Sequence, residues 1–98
     1  MSYSEIESEI RALVRNDDFE LTDHAEDKIA NNFFTFEDVE NSILNGFVYK
    51  VEMDDLGQSK DGKKYVIQGS DGHGHELITC GKIMVDDEGK YYLVISVY

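Results

Sequence analysis

The stretch "ILNGFVYKVEM", residues 43–53, changes the hydrophobic period of the chain partway along its length. Before it, apolar residues recur every three or four positions, the spacing of one helix face. Within it, Phe47, Tyr49 and Val51 fall at every second position, the period of a strand. Between the two periods stands Gly46, a residue able to take the left-handed conformation found just past a helix end. The chain therefore reads as one domain over residues 1–98, with a helical half, 1–46, and a sheet half, 47–98.

Three apolar stripes precede the switch. Phe36, Val39 and Ile43 form one, opened by the reciprocal cap of Thr35 and Asp38. Ala25, Ile29 and Phe33 form another, with Thr22 or Asp23 as cap. Ile6, Ile10, Leu13 and Val14 form the first, with Ser4 and Glu7 as a capping box. "NDDFEL", residues 16–21, breaks the helical pattern with a short extended piece at Phe19 to Leu21.

After the switch, "DDLGQSKDGK" (54–63) reads as a loop, followed by strands at "KYVIQG" (64–69) and "HELITCGKIMV" (75–85). "DDEG" (86–89) is a hairpin turn into "KYYLVISVY" (90–98). A connection that short cannot cross over, so the pairing there is antiparallel. The last strand is apolar on both faces and belongs centrally or under a helix. These elements predict an α+β fold, with N-terminal helices on one face of an antiparallel sheet of about four strands.

Composition sets the class. Ninety-eight residues suffice for one core. No apolar run approaches the ~18 residues of a membrane-spanning helix, and "MSYSEIESEI" lacks the basic and apolar regions of a leader. The single cysteine, Cys80, precludes an internal disulfide and suits a reducing compartment, so a cytoplasmic location is expected. The net charge is −12; residues 1–60 hold 15 acids against 5 bases. Such a surface repels polyphosphate, which disfavours RNA as a nonspecific partner and suits a basic protein.

Few residues suggest chemistry. His24, Lys28 and Asn32 follow one another at intervals of four and form a polar ridge beside Ala25 and Ile29. A histidine that titrates near neutrality beside a lysine can hold and protonate a phosphate at a helix start. It can equally be a neutral helix-edge residue. His73 and His75 in "DGHGHE" would share a face if extended, but a metal needs a third ligand and none stands nearby. No metal or other cofactor is therefore expected. Lys63 and Lys64 beside Tyr65, together with Lys82, could contact a nucleic-acid backbone or simply be solvated. Cys80 reads as a small buried residue. An exposed last strand could pair across a two-fold axis into a homodimer.

Residues 21–55, "LTDHAEDKIANNFFTFEDVENSILNGFVYKVEMDD", resemble a bacterial family, domain of unknown function 4258, allied to BrnT-type and RelE-type toxins. The resemblance rests on His24–Ala25, on Thr35, Glu37, Asp38 and Val39, on Asn45, Gly46 and Val48, and on the final Val97–Tyr98. It implies a helix-plus-sheet fold similar to those toxins, an antitoxin as partner, and RNA as target. On that pattern His24 is the general acid or base, Lys28 holds the phosphate and Tyr98 or a sheet lysine assists. Asn32, Lys63, Lys64 and Lys82 would then be binding residues. The sequence departs from the family where Lys28 and Asn32 replace arginines and Phe33 replaces a glycine. Lysine loses the bidentate grip on phosphate, and asparagine loses the charge. The expectation is a non-catalytic or weakened relative that binds a protein partner. The alternatives are an RNA-cleaving toxin of a toxin–antitoxin pair and a stand-alone structural or regulatory domain.

Overall fold

The apolar stripes become helices, and the alternating segments become strands. A computed structural model describes residues 3–98. The order is α1 (Ser4–Arg15), β1 (Phe19–Leu21), α2 (Asp23–Asn31), α3 (Phe36–Leu44), β2 (Phe47–Met53), β3 (Lys63–Ser70), β4 (Glu76–Asp86) and β5 (Gly89–Val97). Met1 and Ser2, part of the stretch read for a leader, lie outside the described residues. No described helix is long and apolar enough to cross a membrane.

The sheet has five strands in the order β1-β5-β4-β3-β2. β2 to β5 form an antiparallel meander, as their patterns predicted. The fifth strand corrects the expected count and makes the sheet mixed: β1 pairs parallel with β5, Phe19 against Tyr92 and Leu21 against Val94. The extended piece expected at Phe19 to Leu21 is this strand, though nothing in three residues announces that it joins the sheet. What recruits them is the backbone of β5, which donates from Tyr92 to Asp18 and accepts from Thr22 at Val94. β5 is therefore interior, as its two apolar faces require, and the long free edge is β2. An exposed final strand, the basis for expecting a dimer there, is not present.

One face of the sheet carries the helices and the core. Tyr65, Ile67, Leu77, Ile83, Tyr92 and Val94 meet Ile10, Val14, Ala25, Ile29, Val39 and Ile43 from the helices. Each fully buried aliphatic side chain contributes about 1.5–3 kcal/mol relative to exposure. α3 packs closely on β3. A Cβ on Gly69 would stand 1.8 Å from the Ser42 carbonyl oxygen, and one on Gly46 would stand 2.4 Å from it. Gly46 is thus required by close approach. Its φ is not positive, contrary to the left-handed end expected, because the chain runs straight from Asn45 into β2.

The helix caps divide. Thr35 and Asp38 form the predicted capping box, and Thr22 accepts from the Ala25 N–H. α1 begins after Tyr3, whose side chain makes no cap bond. Glu7 accepts from the Val48 N–H at 2.7 Å, and Arg11 donates to the Gly46 carbonyl at 3.0 Å, tying α1 to the start of β2.

α1 and α2 end alike. The Asp18 N–H reaches Leu13 O and the Asp17 N–H reaches Val14 O; Phe34 reaches Ile29 and Phe33 reaches Ala30. This is the Schellman pattern, which places its pivot residue in the left-handed region. The pivots are Asp17 (φ 61°) and Phe33 (φ 59°). Phe33 was expected on the apolar stripe of α2. The helix stops at Asn31, however, so the turn sends Phe34 toward the core and leaves Phe33 94% exposed. Phe33→Gly is expected to stabilise the fold by roughly 0.5–1 kcal/mol, the relieved strain less the chain entropy of glycine. A thermal melt should rise by about 2–6 °C; an unchanged or lowered melting point would contradict this.

Candidate functional site

Strand direction places His24, Tyr98 and the two loop histidines at one end of the sheet. β5 runs toward Tyr98, and α2 begins at that same end, where the Thr22 hydroxyl donates to the Ile95 carbonyl at 3.2 Å. β4 starts there, since Thr79 pairs with Val97 and the Tyr98 N–H donates to Ile78 O at 2.7 Å. The β3–β4 loop precedes β4. His24, Tyr98 and the "DGHGH" loop thus share an end, although no bond joins them.

The loop is built around Asp71, which is buried. Its Oδ1 accepts from the His73 N–H at 2.7 Å and the His75 N–H at 3.1 Å, and its Oδ2 meets His75 Nδ1 at 2.9 Å. Gly72 (φ 92°) and Gly74 (φ 90°) give the loop the curl that lets one carboxylate reach all three groups. Burial alone would raise the Asp71 carboxyl. The two backbone N–H groups and the His75 ring outweigh burial and hold it below the usual carboxylate range. Asp71 therefore stays ionised and orients the exposed His75 ring, the arrangement that fixes an imidazole for proton transfer. His75 borders a shallow cavity of about 310 Å³ with Asn45, Phe47, Gln68 and Glu76. Asn45 clamps that wall by exchanging two 2.9 Å bonds with the Ser70 backbone. The glycine-flanked stretch is a loop leading into a strand, as the sequence suggested, and the two histidines do not form an extended pair. The local signal for the Asp71 centre was an aspartate four residues before a histidine, with glycines between.

The other expected residues scatter. His24 is exposed on the second residue of α2, Lys28 is half-buried, and Asn32 lies past the helix end. The Asn32 amide donates to the Lys28 carbonyl at 2.8 Å, so it closes the helix. Tyr98 is exposed. Lys63 and Lys64 are neighbours in β3 and project to opposite faces. Lys63 lines a cleft of about 720 Å³ at the other end of the sheet with Tyr3, Ile6, Glu9, Val51 and Tyr65. In that region the Tyr65 hydroxyl donates to Asp61. Lys90 at 2.7 Å and Lys60 at 3.5 Å hold Glu9 below the usual carboxylate range.

Lys82 is the clearest correction. It was read as a backbone-contacting lysine, but it is only 3% exposed. It lies on the sheet face opposite the helices, 3.2 Å from the buried Asp54 carboxylate. Asp54 also accepts from the Leu56, Gln58 and Ser59 N–H groups, closing the β2–β3 loop. Burial alone would raise the Asp54 carboxyl, but the Ser59 N–H and Lys82 bring it down to about 2. Cys80 is buried as expected, and burial raises its thiol pKa. Among the described residues no group of three or more His, Cys, Asp or Glu is placed to hold a metal ion.

Fold and site together define a small α+β domain with helices on one face of a mixed sheet and a histidine–aspartate loop at one end. Residues 21–98 match the family described as Domain of unknown function (DUF4258), and the chain belongs to it. α1 precedes the matched segment. No curated protein and no solved structure matches the chain.

Proposed function

We propose that this domain is a toxin-like member of its family that acts in the cytoplasm by binding a protein partner and does not itself cleave RNA. The reading is carried by Phe33, strained at φ 59° and 94% exposed. Both features oppose stability, and a partner that buries the ring accounts for keeping them. Exposed acids stand on the flanking helices, among them Glu26 and Asp27 on α2 and Glu37 on α3. A complementary partner therefore offers an apolar pocket rimmed by lysine or arginine, as a basic antitoxin segment would. The burial of Lys82 and the capping role of Asn32 remove two groups that RNA binding was expected to use. The test is a pull-down of the partner with this chain as bait. A stable complex that weakens as salt rises is expected; a partner-free protein at every salt concentration would count against the reading.

RNA cleavage is the second reading, favoured by the Asp71–His75 pair at the end that also holds His24 and Tyr98. There His75, fixed by Asp71, would take the proton of an attacking 2′-hydroxyl. That reading predicts cleavage of single-stranded RNA under single-turnover conditions, slowed about 100-fold or more by His75→Ala. It fails if the wild-type protein leaves RNA intact.

A further inference from the structure

β2 is the long free edge of the sheet, and its guards, a bulge and a Glu7 contact, sit at its start. The chain has no proline to blunt it, and Tyr49 and Met53 are exposed along it. Glu7 takes the Val48 N–H, and Tyr49 sits at a bulge, so protection is confined to the start of the strand. Farther on, the Asp54 N–H donates inward to Gly62 O at 2.9 Å. The alternation of an antiparallel ladder then turns the N–H and C=O groups of Val51 and Met53 outward, with no strand to meet them.

We propose that β2 pairs antiparallel with β2 of a second copy of this chain, about a two-fold axis through Val51. In that register the outward backbone groups of Val51 face those of Val51 of the partner subunit. Lys50 stands opposite Glu52 of the partner subunit, and Tyr49 stands opposite Met53 of the partner subunit. Every side-chain pair is therefore complementary, apolar against apolar and base against acid, and the charge pair occurs twice by symmetry. Lys50 and Glu52 are already neighbours on one face at 3.5 Å and well exposed, so both can turn to the facing strand. The other edge, three-residue β1, offers no comparable length. The dimer is independent of the partner bound at Phe33, which lies on the helical side.

Sedimentation of the whole chain at about 0.15 M salt, where screening shortens the mutual repulsion of two acidic copies, tests the pairing. Wild type is expected to dimerise. Lys50→Glu and Glu52→Lys should each raise the dimer Kd about tenfold or more, because each places like charges opposite one another twice. The double variant Lys50→Glu/Glu52→Lys should restore dimerisation. Arg15→Glu, with the same net charge as Lys50→Glu but at the end of α1, should leave it unchanged. Any of three results would overturn the proposal: a wild type monomeric up to millimolar concentration, a double variant as weak as the single ones, or Arg15→Glu as damaging as Lys50→Glu.

Discussion

Replacing Lys82 with methionine is expected to lower stability by about 3–5 kcal/mol, because it strips the ammonium from a carboxylate that remains buried. The Asp54 carboxylate would keep its backbone N–H donors and lose the buried counter-charge of Lys82. Urea unfolding at neutral pH measures the loss, and a change below 1 kcal/mol would contradict it. Lys82→Met/Asp54→Asn should recover much of the loss, since the charge that drives it is gone. The same pair sets an acid limb. Asp54 titrates at about 2 in the folded chain, below an unfolded carboxyl. Its stabilisation is present above the unfolded value and disappears as pH falls from about 4 through 2. Other carboxylates titrate there too, so the quantity to follow is the difference between wild type and Asp54→Asn. That difference should shrink across the window.

Gly69→Ala is expected to cost about 3 kcal/mol. The new methyl would stand 1.8 Å from the Ser42 carbonyl oxygen, and that atom belongs to the backbone of α3. No rotamer change relieves such a contact, so the helix must lift from β3 and open the core around Val39 and Ile43. Ser42→Ala should not rescue the variant, because the hydroxyl, bonded back to Val39 O, is not the clashing group. Denaturant midpoints of wild type, single and double variants separate the cases. Rescue by Ser42→Ala, or a loss under 1 kcal/mol, would show that α3 does not pack this closely.

The elements that were legible in the sequence share one property: their signal repeats. The stripes of α1 and α3 and the alternation of β2 each span several residues of one period, and burial follows the helical stripes at Ile10, Val14, Val39 and Ile43. The extended piece at Phe19 to Leu21 was legible, but its place as a fifth, parallel strand was not, because its pairing depends on a strand some seventy positions away. Phe33 misled because spacing by four continues on paper after the helix has stopped. Lys82 looked like one more strand lysine. Nothing local announces that Asp54, 28 positions earlier, returns to meet it. The Asp71–His75 loop was the reverse case: the glycines marked a loop, but attention to its histidines as metal ligands passed over the aspartate four residues before His75.

Whether the exposed aromatic at the end of α2 exists for a partner can be read from one variant. Phe33→Gly relaxes the left-handed strain and removes the ring, so stability and affinity should move in opposite directions. Calorimetric titration with the protein recovered in the pull-down, paired with a thermal melt, measures both. The expected result is a higher melting temperature with affinity lowered about tenfold or more, as for an interface anchor. Unchanged affinity in the more stable variant would contradict the claim that this domain works by offering Phe33 to a protein.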